Sequence, residues 1–284
     1  MMIYEHEIPV GSKLYFGDSA RVKRDIENVA SDMFVKNGFE EIVTPFLSYH
    51  QHGNIAEKEL IRFSDANNHI LSLRADSTMD VVRLMSKRLG RSINQDKWFY
   101  IQPVFKFPSQ EVNQIGAEYV GVNDLSFGIE ISTSIFRHFQ MEPLLQICNI
   151  TIPNEIAKEF HLDIGIFERG EIEKLLAFNL PWLNKLVRAQ SLAQIEEVIA
   201  IAPKNIADEL LKMKKLQAGI SYEKIVFSPL FYARMRYYDG LFFRFIDKNL
   251  RLGLGGNYEC EGSKSSGFAL YTDAIIDTMI KIRK

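Results

Sequence analysis

The chain has 284 residues, with 34 lysines and arginines against 36 aspartates and glutamates, a net charge of −2 and 46% hydrophobic residues. This composition is typical of a globular protein, and the charge balance gives no whole-molecule reason to expect nucleic-acid binding. Cys148 and Cys260 lie far apart without a CxxC pattern, which argues against a zinc site or a disulfide scaffold. Because neither a signal-peptide pattern nor an apolar run of about 18 residues occurs, we expect a cytoplasmic protein that does not enter a membrane.

The first elements alternate between helical and extended patterns. Residues 19–37 carry apolar side chains at helical spacing and follow the cap-type residues Asp18 and Ser19. Residues 61–74 have apolar residues on both sides of a turn-forming stretch, which predicts a β-hairpin. Residues 76–90 begin with cap-type residues and end at a glycine, which predicts a second helix.

The middle of the chain changes from strand to helix character. The stretch "WFYIQPVFKF" and the segment that ends at Gly121 form two β-type runs joined by the short turn "PSQE". Residues 128–146 and 154–217 lose strand character almost entirely, and the second of these stretches is helical by period.

Strand patterns return over residues 224–256, with hairpin turns predicted at Asp239-Gly240 and at residues 247–249. Residues 271–284 predict an amphipathic helix. Because the strands form local hairpins, we expect an α+β fold in which an antiparallel sheet is flanked by helices. We expect one domain over residues 1–284, with a helical insertion at about 130–215.

Asp76 and Thr78 are polar residues between a predicted strand and a predicted helix. Asp76 has the residue type of a helix N-cap, which is a purely structural interpretation. Alternatively, a carboxylate and a hydroxyl at a strand end are suited to a ligand's ammonium group through charge-assisted hydrogen bonds.

Gln114 and Glu118 interrupt the otherwise apolar stretch "FKFPSQEVNQIGAEYVG". On a strand both would share one face with Gly116, which would leave open space between them, so the two polar groups would converge on one point. A buried glutamate needs a partner, which is either an arginine or lysine from a neighbouring strand or a cationic, donor-rich ligand.

Two further stretches combine aromatic residues and glycines. Tyr237 and Tyr238 face opposite sides of a predicted strand, where tyrosines are often core residues whose hydroxyl reaches a polar partner. The stretch "GLGGNYE" at 253–259 indicates a close approach of the backbone to a ligand or to another strand, but it matches no nucleotide-binding pattern. We find no Ser-His-Asp or metal-ligand constellation, and we predict no metal and no cofactor.

Several motifs occur in a recognisable order: "GFEEIVTPFL", "FSDANNHILSLRADSTMDVVR", "QPVFKF", "NQIGAEYVG", "YYDGLFFRF" and "GLGGNYE". Together these motifs span nearly the whole chain. Their order resembles that in the catalytic domain of class II histidyl-tRNA synthetases. More narrowly, it resembles their non-synthetase relatives, the regulatory subunits of ATP phosphoribosyltransferase. The resemblance implies a fold like that of the class II aminoacyl-tRNA synthetase catalytic domain, and we expect no anticodon-binding domain.

The resemblance places the family's histidine pocket on the polar and aromatic residues described above: Asp76, Thr78, Gln114, Glu118, Tyr237 and Tyr238. Asp76 corresponds to the acid that receives the ammonium group, where the family usually has the longer glutamate. Carboxylates suit the ammonium and imidazole N–H donors, while aromatic walls exclude water.

The positions that hold ATP in the synthetases differ in this chain. Lys106 occupies the position of the arginine in the family's "F-R-x-E" motif. Ala233 occupies the position of the arginine in "R-G-L-D-Y-Y", and Ala274 that of the arginine in "G-x-E-R". "GGRYD" has become "GGNYE" at 255–259. A lysine cannot reproduce a bidentate guanidinium, and adenylation needs cations on the phosphates, so the resemblance implies a lost ATP site.

The resemblance therefore implies a non-catalytic subunit that binds free histidine and regulates ATP phosphoribosyltransferase, the first enzyme of histidine biosynthesis. Its implied partner is the catalytic subunit, in a hetero-oligomer that contains a homodimer of this chain, and tRNA is not an expected partner. One rival hypothesis is an active ligase that charges a non-tRNA acceptor. Another is a pseudo-synthetase that serves only as a binding module for RNA or another protein.

Overall fold

The structure is a computed structural model that describes residues 7–49, 55–89, 93–232, 238–260 and 262–282. The chain divides into two units. The first comprises residues 1–121, 260–263 and 267–284, and the second comprises residues 122–259 and 264–266.

The first unit combines helices with two sheets. Its elements, in chain order, are α1 (Gly17–Lys36), β1 (Glu40–Glu41), β2 (Leu47–Ser48), a 3-10 turn (Glu57–Glu59), β3 (Arg62–Ser64), β4 (Ile70–Leu73), α2 (Ser77–Leu84), a π-helical turn (Met85–Leu89), β5 (Lys97–Lys106) and β6 (Gln110–Tyr119). The second unit follows with α3 (Ser126–His138), β7 (Leu144–Asn149), α4 (Thr151–Glu159), α5 (Gly165–Arg169), α6 (Glu173–Leu176), α7 (Pro181–Leu186), α8 (Leu192–Ile199), α9 (Lys204–Ala218), β8 (Ile225–Phe227), β9 (Tyr238–Asp247) and β10 (Leu250–Cys260). The chain then forms β11 (Ser263–Tyr271) and returns to the first unit with α10 (Thr272–Ile282).

The sheets contain mainly antiparallel pairs. In the first unit β1, β5, β6 and β11 are neighbours in that order, and β2, β4 and β3 form a smaller antiparallel sheet. In the second unit the order is β10, β9, β7, β8. The predicted α+β arrangement is confirmed, but the sheets are mixed, because β1 runs parallel to β5 and β7 runs parallel to β8.

Helix α1 supplies one wall of the first unit's core. Ile26, Ala30 and Phe34, spaced four residues apart, have no solvent exposure. The Phe34 ring stacks on that of Phe99 in β5 with centroids 4.9 Å apart. The predicted helix is confirmed, but it begins at Gly17 and not at Ser19. The Ser19 hydroxyl accepts a hydrogen bond from the Phe16 N–H, so it caps the helix from inside the first turn.

Arg74 connects the small sheet to β5 within the first unit. Its side chain is 1% exposed. The guanidinium donates to the carbonyl oxygens of Thr44 at 2.7 Å and Pro103 at 2.7 Å. These bonds satisfy a buried cation with backbone acceptors, and burial lowers the pKa of Arg74 from its usual value.

The second unit buries one face of its sheet. Leu145, Ile147, Phe243 and Phe245 alternate along β7 and β9 and have no solvent exposure. The Phe136 ring of α3 meets the ring of Phe245 at 5.0 Å in an edge-on contact. Helix α3 therefore covers this face, and the period-two alternation places the remaining residues of both strands on the opposite face.

Several predicted boundaries were wrong. Asp239 and Gly240 lie inside β9 and form no turn, because Tyr238 pairs with Tyr258 of β10. The turn at 247–249 is confirmed, since Leu250 pairs with Asp247. Strand β7 begins at Leu144 in a stretch predicted to lack strand character, so the helices of the region predicted as an insertion are interrupted by a sheet strand. Strand β11 was not predicted.

The predicted hairpins at 61–74 and around "PSQE" are confirmed as β3–β4 and β5–β6, and the predicted C-terminal helix is confirmed as α10. In the β3–β4 turn, Asp65 Oδ1 accepts hydrogen bonds from the N–H groups of Asn67 and His69. Within the described ranges, none of the helices has the length and apolar character that a membrane span requires.

Candidate functional site

The register of the β5–β6 hairpin arranges the polar residues of the first unit. Glu118 lies opposite Trp98, Gly116 opposite Tyr100, and Gln114 opposite Gln102. Residues that face each other in an antiparallel pair point to the same side of the sheet. Tyr100 and Gly116 therefore share a face with Glu118 and Gln114.

The space beside Gly116 is not open, contrary to the expectation from the sequence. A Cβ atom on residue 116 would lie 2.4 Å from both Cζ and Oη of Tyr100. The tyrosine side chain thus lies over the glycine, between the positions of Gln114 and Glu118. Gln114 is half-buried and Glu118 is fully buried, so the two side chains differ in environment.

Three polar side chains form a buried chain of contacts. Thr78 Oγ1 lies 3.3 Å from Tyr100 Oη, and Tyr100 Oη donates to Glu118 Oε1 over 3.5 Å. Thr78 is 8% exposed, and Tyr100 and Glu118 have no solvent exposure. The structure therefore brings together Thr78 and Glu118, which the sequence analysis named, through Tyr100, which it did not.

Gly267 of β11 makes room for the Glu118 carboxylate. A Cβ atom on residue 267 would lie only 1.7 Å from Glu118 Oε2. The same atom would lie 3.0 Å from the Ala117 carbonyl oxygen. The carboxylate therefore occupies the volume that any larger residue at position 267 would need.

The buried position also controls the protonation of Tyr100. Desolvation raises the pKa of this phenol well above its usual value, and the charge of Glu118 raises it further. Tyr100 therefore remains a neutral O–H donor at physiological pH. The neutral Tyr100 hydroxyl donates a hydrogen bond to the Glu118 carboxylate, which can only accept. The direction of the hydrogen bond between these two groups is therefore fixed.

Asp76 occupies the N-cap of α2. Its Oδ1 accepts a hydrogen bond from the Met79 N–H at 3.0 Å. This is the geometry of a helix N-cap, as expected if Asp76 has a structural role. Burial raises the pKa of this half-buried carboxyl, and the N–H of Met79 and the charge of Lys106 act against that rise.

Gln102 positions the first turn of α2. Its Nε2 donates to Ser77 Oγ at 3.0 Å and to Thr44 Oγ1 at 3.1 Å. Its Oε1 accepts from the Thr44 N–H at 3.2 Å. Because Ser77 precedes Thr78, this network holds the Thr78 hydroxyl toward Tyr100.

Tyr238 lies in the second unit with its ring packed on Gly256, where a Cβ atom would be 2.3 Å from Tyr238 Cε1. The ring also stacks on Phe242 with centroids 5.6 Å apart. The glycine stretch of β10 thus admits a neighbouring side chain rather than a backbone. The adjacent Asn257, at the family's "GGRYD" arginine, is buried, and its Oδ1 has no hydrogen-bond partner among the described residues.

The remaining residues named from the sequence lie elsewhere. Lys106 pairs with Glu59 at 3.9 Å in an exposed ion pair. Ala274 is half-buried in α10, where its carbonyl oxygen accepts from Thr278 Oγ1 at 3.0 Å. Ala233 and Tyr237 lie outside the described residues. In the part of the chain that the structure describes, no three histidine, cysteine or acidic side chains form a group that could hold a metal.

Sequence reasoning missed Tyr100 and Gly267. The alternation of "WFYIQPVFKF" places Tyr100 on one strand face with Trp98 and Gln102, and pairing it with Gly116 would have predicted its position. Gly267 lies in a strand that was not predicted, so no signal pointed to its contact with Glu118.

Comparison with known proteins gives a consistent result. The family model described as histidyl-tRNA synthetase matches residues 17–275. An ATP phosphoribosyltransferase regulatory subunit of Wolinella succinogenes is 43% identical over 99% of this chain and 98% of its own length. One of Helicobacter hepaticus is 42% identical over 98% of this chain and 100% of its own length.

Solved structures show the same fold. A structure described as an ATP phosphoribosyltransferase regulatory subunit/histidyl-tRNA synthetase from Bacillus halodurans has a TM-score of 0.84 and 21% identity, and the match covers 98% of this chain and 84% of the other. Histidyl-tRNA synthetase from Nostoc sp. PCC 7120 has a TM-score of 0.76 and 13% identity, with 99% and 76% covered.

Proposed function

Because the chain belongs to the histidyl-tRNA synthetase family, in its branch of ATP phosphoribosyltransferase regulatory subunits, we propose that it is a non-catalytic, histidine-binding regulatory subunit of ATP phosphoribosyltransferase. In this role the chain is needed for the activity of the catalytic subunit. Histidine bound to this chain controls the first step of histidine biosynthesis.

One observation carries the proposal: relatives with this name are 43% and 42% identical over nearly the whole of both chains. Both matches include the segments around Thr78, Glu118 and Tyr238. The histidyl-tRNA synthetase relatives match less well, for example at 23% over 88% of this chain for that of Saccharolobus solfataricus.

The chemistry of the first unit supports histidine as the ligand. The fully buried Glu118 carboxylate accepts hydrogen bonds only, and Asp76 adds a second acid near the N-terminus of α2. Histidine offers an ammonium group and an imidazole N–H as matching donors. Gln114, Tyr237 and Tyr238 are proposed as further histidine contacts on the resemblance alone.

The changed ATP positions support a subunit without catalysis. Alanine at 233 and 274 supplies no charge for the phosphates, and the Lys106 ammonium is shared with Glu59. Stabilising the charge that develops during adenylation requires cations fixed beside the phosphates. We therefore propose that the fold keeps a binding role for an amino acid and has lost the ligase reaction.

Regulation then follows from differential binding. If histidine binds one conformation of the complex more tightly than another, it shifts the population toward that conformation by the ratio of the two affinities. The proposed partner is the catalytic subunit of the transferase, and we propose that two copies of this chain form a homodimer within that hetero-oligomer.

Reconstitution tests this function. We expect the catalytic subunit of the same organism to co-purify with this chain, to need it for full activity, and to respond to histidine only in its presence. Histidine-dependent pyrophosphate exchange by the chain alone would instead establish a ligase. Failure to bind histidine at millimolar concentration would favour a binding module of another kind.

Replacement of Glu118 tests the histidine site. The Glu118→Gln variant keeps the shape of the side chain but loses its charge, so we expect histidine affinity to fall about 10- to 100-fold. Titration calorimetry measures this change, and Glu41→Gln, an exposed β1 residue of the same unit, serves as the matched control. Unchanged affinity in a folded Glu118→Gln variant contradicts the assignment.

A further inference from the structure

The second unit has a sheet face that solvent can reach. Strands β7, β8 and β9 bury Leu145, Phe227 and Phe243 on one side, each at most 2% exposed. On the opposite side Gln146 and Arg244 are only half-buried. Cys148 and Phe242 on the same side have no solvent exposure, so a small ligand can approach this face only around Gln146 and Arg244.

Arg244 is held rigidly on this face. Its Nε donates to Gln146 Oε1 at 2.6 Å, and Gln146 Nε2 in turn donates to Ser228 Oγ. The guanidinium carbon lies 3.6 Å from the centre of the Phe231 ring. A hydrogen bond at Nε and an aromatic ring against its face fix the plane of the guanidinium.

The positive charge of Arg244 has no acidic partner in the part of the chain that the structure describes. Nη1 and Nη2 make no hydrogen bond or ion pair there, although Nε is satisfied. The titratable groups that act on Arg244 are the Cys148 thiol and the Arg251 guanidinium. Burial raises the pKa of Cys148, so the thiol is neutral, and Arg251 adds a second positive charge.

Partial burial makes this arrangement costly without a ligand. Desolvation lowers the pKa of Arg244 from its usual value, because the charged form is the one that burial disfavours. Arg74 in the first unit is also buried, but four of its hydrogen bonds go to the carbonyl oxygens of Thr44, Pro45 and Pro103. Arg244 has no comparable set of acceptors among the described residues.

We propose that Arg244, fixed by Gln146 and Phe231, binds an oxyanion on this face: a phosphate or carboxylate group that accepts two hydrogen bonds from Nη1 and Nη2. A planar guanidinium with two free donors matches the two oxygens of such a group. The neighbouring Arg251 increases the positive potential at the site, and Ser228 Oγ supplies a further polar group near Gln146.

This site does not depend on the proposed histidine site. Rings of Tyr238, Phe242 and Phe231 form a contiguous row that leads to Arg244. Arg244 lies six positions after Tyr238 along β9, and the register shift between Gly256 and Tyr258 of β10 falls opposite the segment that joins them. Because Arg244 is not among the residues proposed to contact histidine, we assign the oxyanion to a second ligand or to a second part of a longer ligand.

Binding of simple anions to the full chain tests the inference. Inorganic phosphate would be titrated against the protein by ³¹P NMR line broadening, and acetate by calorimetry, both at ionic strength held constant with KCl. The variants are Arg244→Gln and Arg244→Lys, and the matched control is Arg188→Gln, an exposed arginine of the same unit. Gln146→Leu removes the Nε contact without changing the charge.

We expect saturable binding of at least one of the two anions, with affinity at least about tenfold weaker in Arg244→Gln and unchanged in Arg188→Gln. Arg244→Lys should weaken binding, because an ammonium group cannot offer two parallel N–H donors. Gln146→Leu should also weaken it, because Arg244 Nε loses its hydrogen-bond acceptor. The anion that binds more tightly, phosphate or acetate, shows whether the site prefers a phosphate or a carboxylate group. Absence of saturable binding in the wild type, equal binding in a folded Arg244→Gln, or equal loss in Arg188→Gln each overturns the proposal.

Discussion

Three glycines, two in the first unit and one in the second, determine where neighbouring polar and aromatic side chains lie. Gly116 accommodates Tyr100, Gly256 accommodates Tyr238, and Gly267 accommodates the Glu118 carboxylate. In each case a Cβ atom would approach a neighbouring side-chain atom within 2.4 Å. None of the three has a positive φ, so these glycines provide space rather than an unusual backbone conformation.

Replacing Gly267 is the most direct test of this packing. In Gly267→Ala the new Cβ would force Glu118 out of its position, and we expect a loss of about 1–3 kcal/mol in the free energy of unfolding together with weaker histidine binding. Urea denaturation and calorimetry measure the two effects. Gly240→Ala in β9, where nothing lies within 4 Å of the new Cβ, should change stability by about 0.5 kcal/mol or less.

If Gly267→Ala is as stable as Gly240→Ala, the carboxylate is not confined by β11 in the way the structure indicates. Both replacements add one methyl group to a glycine inside a β-strand. The comparison therefore isolates the space available to the new methyl group.

At the scale of single elements, the start of α2 combines a structural role with a proposed binding role. Asp76 caps the helix, and the buried hydroxyls of Ser77 and Thr78 follow in the first turn. Gln102 of β5 fixes this turn through its bond to Ser77. A helix N-terminus that is held by a neighbouring strand keeps its polar groups in place without a ligand.

Two replacements of Asp76 separate these roles. Asp76→Ala removes the cap and should cost about 1 kcal/mol of stability, while Asp76→Asn keeps the cap and removes the charge. We expect both variants to bind histidine more weakly, as measured by calorimetry. If Asp76→Asn binds histidine like the wild type, the carboxylate is only a cap.

The pH dependence of Asp76→Asn provides a second check. Burial raises the pKa of Asp76 in the folded state above the value of 3.8 expected in the unfolded chain. The folded state then binds more protons, so the wild type loses stability relative to Asp76→Asn as pH rises above that value, until the folded carboxyl has ionised. Urea unfolding of both proteins from about pH 4 to about pH 7 measures the difference. A difference that stays constant across this interval contradicts the shift.

At the scale of the whole molecule, each unit has its own core and its own polar cluster. The first contains the Thr78–Tyr100–Glu118 contacts, and the second contains Arg244 with Gln146. We expect assembly with a partner not to depend on the Glu118 carboxylate, because this group lies in the interior of the first unit, where the surface of another subunit does not enter. Histidine binding and subunit assembly should therefore be separable by mutation.

The reconstituted complex tests this separation. With Glu118→Gln in place of the wild-type chain, we expect assembly and activation of the catalytic subunit to persist, while the histidine concentration needed for half-maximal response rises about 10- to 100-fold. Size-exclusion chromatography and initial-rate assays measure the two properties. Loss of assembly in a folded Glu118→Gln variant would contradict the separation, and Glu41→Gln again serves as the control.

The local patterns of the sequence predict much of the fold. Apolar spacing predicted α1, α2 and α10, and alternation with turn residues predicted the β3–β4 and β5–β6 hairpins. Those signals are local, because helix and hairpin contacts join residues close in the chain. Strand β7 was missed because it lies between two helices, where its short apolar run has no hairpin partner in the sequence.

The sequence alone determined which residue types are available and in which order the family's motifs occur, and this order was enough to indicate the family. Only the tertiary structure decided which side chains meet. Tyr100 reaches Glu118 and Thr78 because the strand register places it over Gly116, and the carboxylate fits because β11 presents a glycine beside it. Likewise, Arg244 is distinguished by a half-buried guanidinium whose Nε is bound by Gln146 while its Nη groups find no acceptor among the described residues. Such contacts depend on pairing between segments far apart in the chain, which local periodicity does not encode.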